Sequence, residues 1–150
     1  MKKILLFLFF MAAANLVKAQ LPWKIKLGSK VVLQTKGEDV IKNTLKLKSS
    51  LIGTKNKLIL AYKVAADEKD WIREVMIDDS TGAGIAENAT AFEIKKVPTE
   101  VSYTMSNKTL KEILKKKKKI KIYFTSIPSD PAKAALVRIR PVHICSISLQ

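Results

Sequence analysis

The chain predicts an all-β domain: a single β-sandwich, immunoglobulin-like or jelly-roll in type, with one short helix near residues 109–116. Three observations carry that expectation. Short runs in which apolar and basic residues alternate recur along the sequence, as in Trp23-Lys24-Ile25-Lys26-Leu27 and Leu45-Lys46-Leu47-Lys48. A period of two marks a strand with one wet face. Turn residues separate these runs, and no repeat, linker or composition break divides the chain, so about nine short strands must close one core among themselves.

The N-terminus is read first as an address. Met1-Lys2-Lys3 is basic, Ile4 to Ala14 is uncharged and apolar, and Val17-Lys18-Ala19 ends in small or medium residues. That order is a secretory signal peptide over residues 1–19, cleaved before Gln20. Eleven helical residues span about 16 Å, too short for the roughly 30 Å hydrocarbon layer, and a core helix would need a polar face that this run lacks. A lipid anchor would need a cysteine at the cleavage point, and the only cysteine is Cys145. The expected product is a soluble, exported, periplasmic or extracellular domain over residues 20–150.

From Trp23 the elements follow in order. Gly28-Ser29-Lys30 turns the first strand back into Val31-Val32-Leu33-Gln34, and Gly37-Glu38-Asp39 punctuates before Leu45. Leu58 to Val64 is nearly continuous in apolar residues and reads as a central strand. Trp71 to Ile77 reads as a strand because β-branched and aromatic residues dominate it. Asp78 to Gly84 is loop, Ala86 to Ala91 fits a turn of helix, and Phe92–Val97 and Val101–Met105 flank Pro98 as two more strands. Thr109-Leu110-Lys111-Glu112 fits a capping box opening a short helix, with Leu110, Ile113 and Leu114 on one face and Lys115–Lys119 at its end. In the strand that follows, Ile120, Ile122 and Phe124 point inward, and Lys121, Tyr123 and Thr125 outward.

Charge bounds the function. The chain holds 28 basic and 13 acidic residues, net +15; without Lys2, Lys3 and Lys18 the net charge is +12. Such an excess suits an anionic partner: an anionic glycan, lipopolysaccharide or a membrane surface. It equally suits lysines that solvate strand faces and guard sheet edges. Export separates the chain from the genome, so a genomic nucleic-acid partner is not expected. One cysteine makes no internal disulfide.

The candidate anion site lies on the closing pair of strands. If Ile120–Ile127 and Leu136–Leu149 pair antiparallel around a loop at residues 128–135, then Thr125 meets Arg138, Tyr123 meets Arg140 and Lys121 meets Val142. Lys121, Tyr123, Arg138 and Arg140 would then cluster outside, with Val137 and Ile139 in the core. A guanidinium beside a phenol suits phosphate, sulfate or a sugar acid; it is also what an ordinary solvent-facing strand with a cation–π pair carries.

Chemistry beyond binding finds little foothold. His143 and Cys145 lie two apart, a spacing that puts them on one strand face and that a metal or a thiolate–imidazole pair can use. There is no second histidine, and a cysteine inside an apolar strand lacks the electropositive exposure a nucleophile needs. Asp78, Asp79 and Ser80 miss the calcium-loop spacing. No phosphate loop, nucleophile elbow or zinc-protease motif occurs. The expectation is a non-enzyme without cofactor or metal, a metal-binding or enzymatic accessory domain at His143/Cys145 or an envelope assembly module being the alternatives. Asn88-Ala89-Thr90 and Asn107-Lys108-Thr109 match glycosylation sequons.

Three segments, Lys121-Ile122-Tyr123-Phe124-Thr125, Pro128-Ser129-Asp130-Pro131 and Val137-Arg138-Ile139-Arg140-Pro141-Val142-His143-Ile144-Cys145, carry a resemblance. Together they resemble a group of small exported bacterial proteins of unassigned function that close with a lysine-rich helix, an Asp-Pro corner and a Val-Arg-x-Arg…His-x-Cys strand. Pro141 departs from that pattern, standing where another arginine is expected. The resemblance implies export and a β fold, and no activity.

Overall fold

The computed structural model describes residues 22–35, 37–52, 56–64, 70–84, 90–93 and 100–150. The expected signal peptide over residues 1–19, Asn88 of the first sequon and most of the expected turn at Ala86–Ala91 lie outside these residues. What is described is mostly β, in two sheets. The first has the order β2-β1-β4-β7, from β1 (Trp23–Leu27), β2 (Lys30–Gln34), β4 (Lys57–Lys63) and β7 (Glu100–Ser106). The second runs β3-β9-β8-β5-β6, from β3 (Thr44–Leu47), β5 (Trp71–Asp79), β6 (Thr90–Glu93), β8 (Lys119–Pro128) and β9 (Val142–Leu149). Among the described residues, α1 (Ser49–Ile52) and α2 (Asn107–Lys117) lie on connections between the sheets, and α3 (Pro131–Ala134) lies between β8 and β9 of the second sheet.

Alternation works as the strands predicted. Trp23, Ile25 and Leu27 are buried while Lys24 faces out and Lys26 is half-buried. Ile120, Ile122 and Phe124 are buried from β8, with Lys121 and Tyr123 half-buried on the other side; Thr125, expected outside, is buried there. Inward side chains of both sheets belong to one hydrophobic cluster, in which the Trp23 and Phe124 rings are 5.1 Å apart and Trp23 stacks on Tyr62 at 4.9 Å. Gly28 makes the β1–β2 turn possible: its φ of 63° is left-handed, and a Cβ there would lie 2.9 Å from Asn56 Oδ1.

Four details differ from the sequence expectation. The helix begins earlier, because Ser106 is its N-cap: the Ser106 hydroxyl accepts from the Thr109 amide, so Thr109 stands inside the first turn and is not the cap. Leu110 and Leu114 are buried as expected, with Ile113 packed partly against the core. The edge strand β3 runs parallel to β9, a pairing that alternation cannot reveal.

The third difference is the largest. β9 begins only at Val142, so Leu136 to Pro141 are not strand; Pro141 has no N–H to donate to a ladder. Tyr123 therefore faces His143 instead of Arg140, Lys121 faces Ser146 instead of Val142, and Thr125 has no Arg138 beside it. Val137 and Ile139, expected in the core, are exposed.

The last is a buried charge. Arg73 is 1% exposed, on the same strand face as Val75 and Ile77. Its guanidinium lies 5.6 Å from the centroid of the Tyr62 ring, 5.7 Å from Trp71 and 5.9 Å from Phe124. Aromatic faces carry negative quadrupole density, which makes them the least costly apolar lining for a cation withdrawn from water.

Candidate functional site

Residues directly opposite across a ladder share a sheet face. On the outer face of the second sheet, β3, β9 and β8 thereby set Lys46, Ser148 and Lys119 in one row. The next row, continued into β5, is Thr44, Ser146, Lys121 and Asp78. Three lysines thus stand on one sheet face with Ser148, which is half-buried, while Ser146 of the second row is fully buried. Among the described residues none of Lys46, Lys119 and Lys121 makes an ion pair; the pairs that form are Lys26–Glu100, Lys42–Asp39, Lys117–Asp79 and Arg140–Glu38. The last turn of α2 adds Lys115 and Lys116 at the start of β8.

Of the four residues singled out from the sequence, the structure brings Lys121 and Tyr123 onto this face and keeps the two arginines off it. Arg140 reaches Glu38 with Nη1, 2.9 Å from each carboxylate oxygen. Arg138 sits exposed in the segment before β9. Lys119 belongs to the lysine run 115–119 that the sequence sets beside the candidate site, whereas Lys46 was not legible as a site member, because nothing local announces that β3 pairs with β9.

A polar node borders the lysine rows. His143 is buried, its ring meeting Tyr123 edge-on at 5.4 Å, with Nε2 3.1 Å from Ser146 Oγ. Its Nδ1 has no hydrogen-bond partner among the described residues, and its backbone N–H donates to Glu38 at 3.2 Å. Burial pushes the imidazole below its ordinary pKa; Glu38 opposes this, and Lys121 and Lys119 add to it. His143 is thus held neutral beside cations.

Cys145 does not share that environment. A bulge between Ile122 and Tyr123 places Cys145 opposite Ile122, in the core, while His143 stands opposite Tyr123. The spacing of two that would normally put both on one face is broken by one extra residue. Cys145 is fully buried and its thiol is pushed up to about 12 by desolvation, so it is no thiolate near neutral pH.

β5 continues through Asp78 and Asp79, expected in the loop, and Asp79 has a structural role at the turn that follows. Asp79 accepts from the Thr81 hydroxyl and amide and the Ala83 amide, and its other oxygen pairs with Lys117 at 2.9 Å. The Thr81 hydroxyl first, and Lys117 next, hold its carboxyl well below the usual carboxylate range. Those contacts use the oxygens a cation would need. Among the described residues no group of three His, Cys, Asp or Glu side chains is placed to hold a metal ion. Asn107 is buried, which withdraws the second sequon from the surface.

No family model matches this chain, and no curated protein matches it. The class that fold and site define is a mostly-β, strongly basic chain in two sheets with a lysine-bordered outer face.

Proposed function

We propose that the protein is an exported, non-catalytic β-sandwich of the cell envelope that binds an extended polyanion through the outer face of its second sheet. The groups bound are phosphate, sulfate or carboxylate spaced along an anionic glycan such as that of lipopolysaccharide. Lys46, Lys119 and Lys121 supply the cations, Ser148 and Tyr123 border them, and Arg138 and Arg140 are set aside. The observation that carries the reading is the pair of cross-strand rows that set Lys46, Lys119 and Lys121 on one sheet face, none of them with a carboxylate partner among the described residues. Export rests on the basic–apolar–small order of residues 1–19. No helix of the described residues is long and apolar enough to cross a membrane. The single sandwich rests on the core cluster to which both sheets contribute.

Salt tests it. Binding by neutralised charges weakens steeply with ionic strength. On immobilised heparin, K46Q/K119Q/K121Q is expected to elute at clearly lower salt than the parent chain, with R138Q close to the parent. Equal elution of the triple variant and the parent would sink the proposal.

A further inference from the structure

A second surface lies at the opposite end of the same sheet. Because β3 and β9 run parallel, the segments leading into them, residues 37–43 and 129–141, reach the sheet at the same end. The Arg140–Glu38 ion pair and the bond from the His143 amide to Glu38 tie the two segments together. They carry Val40, Ile41, Leu136, Val137 and Ile139, five of the seven large hydrophobic residues exposed among the described residues. Ile41 is 88% and Leu136 86% exposed.

Both tips are built. Asp39 accepts from the amides of Ile41 and Lys42, and its carbonyl accepts from Asn43, which holds the turn that presents Ile41. Asp130 caps α3 at Ala132, and the Leu136 amide donates to Lys133 O, which fixes the turn that presents Leu136. Apolar side chains held in water on braced turns are a cost that an occupant removes.

The chemistry around them selects the occupant. Among the described acids of these segments, Glu38 is committed to Arg140, Asp39 to its turn and Lys42, and Asp130 to its cap, while Asp70, whose carbonyl accepts from Ser129, stands exposed beside them. Lys133 and Arg138 remain exposed without an ion pair among the described residues. Isolated apolar tips interleaved with cations make a poor dry protein interface, which needs a continuous apolar centre. A second copy of the chain would meet like charge. A fluid layer of anionic headgroups over acyl chains accepts both components, apolar tips below and cations at phosphate depth.

We infer that the paired segments 37–43 and 129–141 are a membrane-docking end, inserting Ile41 and Leu136 into the interface of an anionic bilayer while Arg138 and Lys133 contact lipid phosphates. This surface is distinct from the lysine rows. The lysine rows cross β9 at Ser146 and Ser148, about 13 and 20 Å along the strand from its start at Val142, so docking by the segments ahead of β9 would hold those rows back from the bilayer.

The test needs a signal local to the loops, because residues 4–14 would bind lipid by themselves. Cys145 is buried, so L136C takes an environment-sensitive dye selectively, and K116C carries the same dye at the other end. With phosphatidylglycerol-containing vesicles, the dye at position 136 is expected to shift to the blue and the dye at 116 to stay solvent-like. In the L136C chain, adding I41S should weaken that response about tenfold, consistent with one apolar side chain lost from the interface. Pure phosphatidylcholine should give a weaker response. Heparin retention of I41S/L136S should match the parent, separating failure here from failure of the glycan reading. No shift at 136, equal shifts at 136 and 116, or a shift that depends on protein concentration without vesicles would overturn the inference, the last marking a contact between copies.

Discussion

β8 and β9 lie side by side in one sheet, yet only one of them could be read in advance. β8 pairs with β5 from Trp71↔Pro128 to Asp79↔Ile120 without a shift, and its alternate residues divide between core and outer face as expected, Thr125 excepted. β9 starts six residues later than its apolar–basic pattern suggests and carries a bulge against β8. Alternation within a strand reports which residues share a face. It does not report where pairing begins, and a one-residue slip exchanges every side chain between core and solvent. Here the late start of β9 leaves the two arginines off the sheet, and the bulge separates His143 from Cys145.

The comparison can be broken most strongly at Phe124. It packs against Trp23, Tyr62 and the Arg73 guanidinium, and Phe124→Ala is expected to cost about 3–5 kcal/mol in chemical denaturation. A stable variant would mean that the faces of β8 are reversed. Cys145→Ser is next: a hydroxyl placed in a dry core without a partner costs about 1–3 kcal/mol. Its companion measurement is labelling by a thiol reagent, expected only after unfolding. Fast labelling of the native protein would put Cys145 on the outer face beside His143.

His143 sharpens the contrast through pH. Its folded pKa lies below the ordinary 6.5, so the unfolded chain binds the proton more tightly. Its contribution is complete above that value, and stability falls as pH drops below it toward the folded pKa. Denaturant midpoints from neutral pH to about pH 5 should decline, and His143→Gln should flatten the decline. Asp79, whose pKa is depressed from 3.8, acts in a lower window, losing its contribution only as pH falls below that value. An unchanged slope in the glutamine variant would show that His143 is solvated. The smallest effect is the most discriminating for register: Ile139→Ala should change stability by no more than about 0.5 kcal/mol, because the side chain is exposed. A loss of several kcal/mol would restore Ile139 to the core and Arg140 to Tyr123.

Local chemistry made most of the scaffold legible. Trp23 to Leu27 and Ile120 to Phe124 declare strands and inward faces through a period set by backbone geometry alone, and Leu58 to Val64 declares a central strand through its nearly continuous apolar run. The Ser106 cap was within reach too, since a serine stands three residues before Thr109; the competing Thr109–Glu112 pattern obscured it. Arg73 left a fainter trace, sharing the parity of Val75 and Ile77.

By itself, the sequence determined the β class, the inward residues of its regular strands and the excess of positive charge, because each depends on composition or on neighbours within a few positions. Tertiary structure alone decided that β3 lies parallel to β9 and that β9 waits until after Pro141. From those two facts come the lysine rows, the paired apolar tips and the separation of His143 from Cys145. Such pairings join residues about a hundred positions apart, and their register depends on how many residues the intervening loops consume, a quantity that no local pattern encodes.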